Sequence, residues 1–233
     1  MLNVSDAHHF RKVVAGVCML CAPLLFLASA VVSPPLKRDE GPLLSSISGH
    51  LDRWYIASLL GFVGLIVFLP AILGLMHMLR ERQTAFGHVG GALALIGFVA
   101  AAGNAGLTFA MWQMARAGDR APMTALLHRV DHTAGSFLPL MLLTFALSIG
   151  VIVLAWGLAR AHAAPAWSAL CIAVAAVLFA ISGPTASLPM QVIAAAFLVV
   201  GLGAIGWMVL GETDDQWEHT PEVHGFRPAA GTG

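Results

Sequence analysis

The chain has 233 residues, of which 58% are hydrophobic and 10% are charged, and its formal net charge at pH 7 is zero. Soluble domains carry about 25% charged residues, so this composition excludes an ordinary water-soluble globular domain. The sequence has no strongly basic cluster, and nucleic acid is therefore not expected as a partner.

The charged residues and histidines are bunched between five long apolar runs. A membrane-spanning helix needs about 20 apolar residues to cross a hydrocarbon core of about 30 Å. Four runs fit one helix each, and the fifth is broken by Gly183-Pro184 and Pro189 into two. The sequence therefore predicts an all-α integral membrane protein, a six-transmembrane-helix bundle with helices near residues 12–33, 53–79, 86–115, 133–160, 164–183 and 188–210.

The first predicted helix has some features of a signal peptide. It follows the basic pair Arg11-Lys12 and contains Ala28-Ser29-Ala30, which has the form of a cleavage site. Its apolar stretch is longer than a typical signal-peptide core, so we expect an uncleaved helix. The six helices then form one transmembrane domain over residues 1–211, and the acidic, then Pro- and Gly-rich segment 212–233 is expected to be a disordered tail.

The orientation depends on where the basic residues lie. They divide six against six between the two sides. On one side, Arg11, Lys12, Arg80 and Arg82 lie close to helix ends, where the positive-inside rule has most force. We therefore expect a protein of the bacterial plasma (inner) membrane, surrounded by the lipid bilayer, with both termini in the cytoplasm.

Two parts of the chain show the same sequence features in the same order. Each has a proline, apolar residues at helical spacing, a His/Asp group, and then a membrane helix that ends at an arginine. Pro42 and Pro122 are 80 residues apart, and so are Arg80 and Arg160. This pattern predicts a parallel internal repeat of helix hairpins about an axis along the membrane normal, which brings both His/Asp groups to the same outer level.

These two His/Asp groups are the candidate metal site. His128, Asp131 and His132 share one face if the loop that carries them is helical, because positions three and four apart are neighbours. Two imidazoles with a nearby carboxylate can ligate a divalent metal, and His50 and Asp52 are expected to complete the ligand set. The simpler interpretation is that Asp52 and Asp131 cap the helices that follow them.

A second histidine set lies on the inner side. His77 is near the end of the second predicted helix, and His88 is at the start of the third. Histidines at both faces of a helix bundle suit the paired axial ligands of haem b. Both residues lie at the expected membrane interface, where polar ring tips commonly sit without a cofactor, so haem is the less favoured alternative.

No motif in the chain identifies a catalytic function. Gly201 to Gly206 match GxGxxG, but they lie inside an apolar helix with no preceding strand, which indicates helix packing. The third predicted helix is rich in small residues that allow close approach, and its Asn104 is expected to make an interhelical hydrogen bond. The first expectation is therefore a non-catalytic partner or assembly subunit that packs against another membrane protein or a second copy.

Two alternative functions remain open. One is a metal- or haem-binding redox or hydrolytic protein with a His/Asp site at the extracytoplasmic face. The other is a transporter of an apolar or lipid-like substrate. A pathway for ions is disfavoured because the apolar runs contain no Asp, Glu, Lys or Arg, residues that usually line such pathways.

Overall fold

The computed structural model describes residues 4–218, apart from the side chains of residues 4–8, 134, 136–141, 215 and 218. Within that range every regular secondary-structure element is an α-helix. The helices are α1 (Val4–Val32), α2 (Glu40–Gly49), α3 (Leu51–Met78), α4 (Thr84–Arg116), α5 (Arg120–His132), α6 (Ala134–Ala161), α7 (Ala166–Thr185), α8 (Leu188–Gly211) and α9 (Asp214–Glu218). Six of them, α1, α3, α4, α6, α7 and α8, are long and apolar enough to cross a membrane. The predicted all-α bundle with six membrane helices is confirmed.

The ends of the six helices agree with the sequence prediction within two residues, except that α1 begins at Val4 instead of near residue 12. The predicted break between the last two spans is a tight turn. Ala186 has φ 50°, in the left-handed region, and its N–H donates to Gly183 O while the N–H of Ser187 donates to Ser182 O. This pair of hydrogen bonds is the Schellman arrangement that ends a helix, and it lets α8 start two residues later.

The six spans form a closed ring. Each packs against two neighbours in the order α1, α3, α4, α6, α7, α8 and back to α1. Glycines set the closest approach, between α4 and α6, because a Cβ on Gly97 would overlap the backbone of Leu147 and one on Gly150 would overlap that of Ala94. The GxGxxG segment also packs: a Cβ on Gly206 would lie 2.8 Å from Gly16 O.

One end of the ring carries the two short helices and is called here the α2/α5 face. Leu44 and Ile47 of α2 pack with Leu127 of α5 in a buried apolar cluster that also includes Trp54 and Ala115. α2 precedes α3 in the chain, and α5 precedes α6. The predicted order of a short helix and then a membrane helix is therefore present twice, while the internal repeat itself stays a prediction.

The other end carries the start of α1 and the end of α8 and is called here the terminal face. Lys12 is buried there; its Nζ donates to Glu212 O at 2.8 Å and lies 2.6 Å from Asp214 Oδ1. The buried Trp217 stacks on His77, with 4.7 Å between ring centroids. Residues 212–218 of the predicted tail thus pack against this face, and the remainder of the tail lies outside the described residues.

Candidate metal centre and cavity

Helix α5 is amphipathic, and its packing decides which side chains face the site. Its N-terminus is capped by Asp119, whose Oδ1 accepts a hydrogen bond from the Ala121 N–H at 3.2 Å. Leu127 is fully buried against α2. The opposite face, one turn apart, presents His128 and His132, both of which are exposed.

These two histidines meet a carboxylate from α2. Nδ1 of His128 lies 3.1 Å from Oε1 of Glu40, and Nδ1 of His132 lies 3.5 Å from the same oxygen. The two imidazole rings stack with 4.0 Å between centroids. Each residue offers one ligand atom, and these three atoms lie within 4.8 Å of one another. Two helices thus bring together three donors typical of transition-metal sites.

The carboxyls at the site differ in their electrostatic surroundings. A hydrogen bond from the Glu40 backbone N–H, followed by one with His128, lowers the pKa of the Glu40 carboxyl. Desolvation raises the pKa of Asp131, and the nearby negative charge of Glu40 adds to that effect. Glu40 is therefore ionised at neutral pH and is the better anionic ligand, while Asp131 lies next to it in a less polar place.

The structure brings together part of the predicted site and adds one residue to it. Among the described side chains, the group with metal-ligand spacing is Glu40, His128 and His132. Asp131 lies beside this group, but His50 and Asp52 lie outside it, and His50 Nδ1 is 3.1 Å from Ser46 O of the preceding helix α2. Glu40 was not among the residues predicted from the sequence, and its only signal was its place at the start of the short helix that precedes the second membrane helix.

The inner histidines are engaged with protein groups. Nε2 of His77 is 3.1 Å from Trp217 O, and its Nδ1 is 3.2 Å from Nη1 of Arg80. His88 is exposed, and its Nδ1 is 2.9 Å from Thr84 O in the preceding turn. Axial ligation of haem by His77 would require the imidazole to leave the stack on Trp217, so haem binding draws no support from this geometry.

A cavity of about 820 Å³ opens beside the candidate metal centre. Its mouth is polar and includes Arg38, Glu40, Asp131 and His132. Its deeper wall is formed by apolar side chains, among them Leu65, Phe68, Val151 and Leu198. The volume falls in the range of pockets that enclose small-molecule ligands.

One polar pair interrupts the apolar wall. Asn104 of α4 donates a hydrogen bond from Nδ2 to Thr144 Oγ1 of α6 at 2.8 Å, and both residues line the cavity. The predicted interhelical hydrogen bond of Asn104 is confirmed. This pairing satisfies polar atoms at membrane depth, where an unpaired group is costly.

Comparison of the chain with known protein families, curated proteins and solved structures finds no match.

Proposed function

We propose that this multi-pass membrane protein binds one divalent transition-metal ion, of the zinc type, at its α2/α5 face. Glu40, His128 and His132 are the protein ligands. The observation that carries the proposal is the convergence of three ligand atoms from α2 and α5 within 4.8 Å, although Glu40 and His128 are 88 residues apart in the chain.

The donor set selects the class of metal. Two imidazole nitrogens and one carboxylate oxygen form the three-ligand set of zinc sites that keep a fourth position for water or substrate. Calcium and magnesium prefer oxygen ligands throughout, so this set disfavours them. Asp131 interacts electrostatically with Glu40 and both histidines, and a carboxylate near a metal site commonly accepts a hydrogen bond from a ligating imidazole.

The present spacing is wider than that of a loaded site. Zinc with ligands at about 2.05 Å places tetrahedral donors about 3.4 Å apart, so a pair at the 4.8 Å limit would have to approach by about 1.4 Å. The side chains of His128 and His132 are 58% and 62% exposed and have room to rotate. We expect rotation of these two rings to bring the donors to the spacing of a loaded site.

A protonated histidine also explains the 3.1 Å contact with Glu40. That explanation accounts for one ring only, because two imidazolium charges stacked at 4.0 Å repel each other. A metal ion engages both neutral rings and the carboxylate together. Nδ1 of His132 also lies 3.1 Å from His128 O in the preceding turn, so metal binding would require this ring to turn away from that carbonyl. The proposal therefore rests on the convergence of both rings and the carboxylate.

The function expected first, that of a partner or assembly subunit, was inferred from the glycine-rich third membrane helix, α4. Gly90 and Gly97 lie where α4 packs against α6. Gly87 packs against Leu79 in the turn after α3, and Gly91 packs against Met76 of α3. These glycines therefore already pack against other helices of the same chain. We therefore place metal binding above the partner function.

The test is metal content and affinity of the purified protein. We expect elemental analysis to find one zinc per chain after dialysis against excess zinc. Glu40→Gln and His132→Ala are each expected to weaken zinc binding in calorimetry by at least about tenfold, because each removes a ligand. His50→Ala is the matched control, since it removes an exposed histidine of the same face that lies outside the group.

Two results contradict the proposal. One is the absence of stoichiometric zinc, iron or another transition metal from the wild-type protein. The other is an equal loss of affinity in His50→Ala and His132→Ala, which indicates nonspecific binding to surface histidines.

A further inference from the structure

The cavity beside the metal centre has a gradient of polarity along its length. Charged and imidazole side chains surround its mouth at the α2/α5 face. Phe26, Phe68 and Phe179 from three different helices line it further in, together with aliphatic residues. An apolar cavity of this kind holds water poorly, whereas a hydrocarbon chain makes favourable contacts with its walls.

The depth of the cavity corresponds to one half of a bilayer. On α7 the lining residues run from Ala176 to Pro184, which is about 12 Å along the helix axis at 1.5 Å per residue. Half of a hydrocarbon core of about 30 Å is about 15 Å. A chain that enters at the α2/α5 face therefore ends near the bilayer midplane, as the tail of a lipid in that leaflet does.

The charges at the mouth of the cavity indicate the charge of the head group that a bound amphiphile would carry. With a divalent metal bound, the metal and Arg38 outweigh Glu40 and Asp131 by one positive charge. Glu40 and His132 belong to the proposed ligand set and also line the cavity, so a molecule in the cavity would lie next to the proposed metal. A head group with a single negative charge neutralises this mouth and supplies the missing ligand.

We propose that the cavity binds a single-chain amphiphile with a monoanionic head, namely a long-chain carboxylate, with its chain among the apolar walls and its carboxylate at the metal. The position of the chain rests on the cavity, and that of the head group rests on the metal site proposed above. The two polar residues in the apolar wall are compatible with a bound hydrocarbon chain, because Asn104 donates a hydrogen bond to Thr144.

The cavity can be filled from the protein side. Ala101 on α4 and Ala180 on α7 both line it, so Ala101→Trp and Ala180→Phe each place an aromatic ring in the space of the chain. Val177 lies one turn before Ala180 on α7, is 44% exposed and does not line the cavity. Val177→Phe therefore adds similar bulk to the lipid-facing surface of the same helix and is the matched control.

The experiment is photo-crosslinking in lipid nanodiscs with palmitic acid that carries a diazirine midway along its chain. We expect labelled peptides from α6 and α7 at cavity-lining residues. Ala180→Phe and Ala101→Trp are expected to reduce this labelling at least tenfold while retaining the zinc content, and Val177→Phe to leave it within twofold. Removal of zinc by a chelator, or an amine in place of the carboxylate, is expected to reduce labelling at least fivefold.

The outcomes separate the two proposals. Labelling that survives both filling variants, or that falls equally in Val177→Phe, overturns the binding of a chain in the cavity. Labelling of zinc-loaded protein that a chelator leaves unchanged overturns the position of the carboxylate. Protein that holds no zinc, yet loses its labelling in the filling variants, contradicts the metal site and the head-group position but supports the chain in the cavity.

Discussion

At the scale of single residues, the tightest constraints lie at glycines between α4 and α6. A Cβ on Gly97 would overlap the backbone of Leu147, whereas a Cβ on Gly106 of the same helix has no neighbour within 4 Å. Backbone atoms cannot move aside as the end of a side chain can. A methyl group at Gly97 would therefore have to push α4 and α6 apart. The two positions therefore differ in what an added methyl group costs, although both are glycines in one helix.

We predict that Gly97→Ala lowers the free energy of unfolding by about 2 kcal/mol or more, because overpacking in a close-packed interface typically costs 1–3 kcal/mol. Gly106→Ala is the control and is expected to be neutral or to stabilise by up to about 0.5 kcal/mol, since alanine is the better helix former. Unfolding in mixed micelles of increasing SDS fraction measures both. Equal effects of the two substitutions would show that α4 and α6 do not pack through Gly97.

At the scale of elements, the segment that ends in α9 is held to the bundle by groups that titrate. Burial raises the pKa of Glu212 to about 7, and Lys12 opposes that shift only in part. A hydrogen bond from Lys12, followed by one with His9, lowers the pKa of Asp214. Packing of the segment against the terminal face therefore favours a protonated Glu212 and an ionised Asp214.

We predict that packing of this segment weakens as pH rises. The raised pKa of Glu212 contributes stability that is fully present below its ordinary pKa of 4.5 and is lost as pH rises through about 7. The equilibrium constant for packing then falls about tenfold between pH 6 and pH 8. Asp214 contributes in the opposite sense, but its contribution is lost only as pH falls below its lowered pKa, outside this window.

Hydrogen exchange of the backbone amides of residues 213–218, measured at pH 6 and pH 8 and corrected for intrinsic rates, follows this equilibrium. Glu212→Gln is expected to remove most of the pH dependence and to protect the segment better than wild type at pH 8. Asp214→Asn, which removes the ion pair with Lys12, is expected to lower protection at both pH values. A Glu212→Gln protein with the wild-type pH dependence would contradict the assignment.

At the scale of the whole molecule, the number of spans is even, so both ends of the membrane domain lie at one face of the ring. The contacts of Lys12 with Glu212 and Asp214 join those two ends directly. The proposed metal centre and the mouth of the cavity lie at the opposite face. If the two proposals hold, the orientation of the protein in the membrane decides which compartment supplies the metal and which leaflet supplies the amphiphile.

We predict that the terminal face is cytoplasmic, because Arg11, Lys12, Arg80 and Arg82 lie there close to helix ends. In intact cells, His50→Cys on the α2/α5 face is expected to react with a membrane-impermeant maleimide. Gln83→Cys, between α3 and α4, is expected to react only after permeabilisation. The native Cys18, Cys21 and Cys171 lie within the spans, and wild-type protein measures their background. The reverse pattern would place the metal centre in the cytoplasm.

The sequence alone predicted the six membrane-spanning helices and the short helices before α3 and α6, but not α9. The spans followed from runs of apolar residues of membrane length, which is a local property. The amphipathic spacing of Met123, Leu127 and Val130 indicated the surface helix α5 and placed His128 and His132 on one face for the same reason. Asn104 stood out as a polar group at membrane depth, and its hydrogen-bond partner on a neighbouring helix was expected on energetic grounds.

Only the tertiary structure decided which elements meet. The partner of the two histidines is Glu40 and not His50, because α2 packs against α5 through Leu44 and Ile47 and so turns the start of α2 toward the histidines. That contact joins residues 88 apart, and no spacing in the chain encodes it. The cavity likewise exists only where the ring of six helices encloses it. Local patterns specify elements, whereas sites between elements depend on the packing of distant apolar faces.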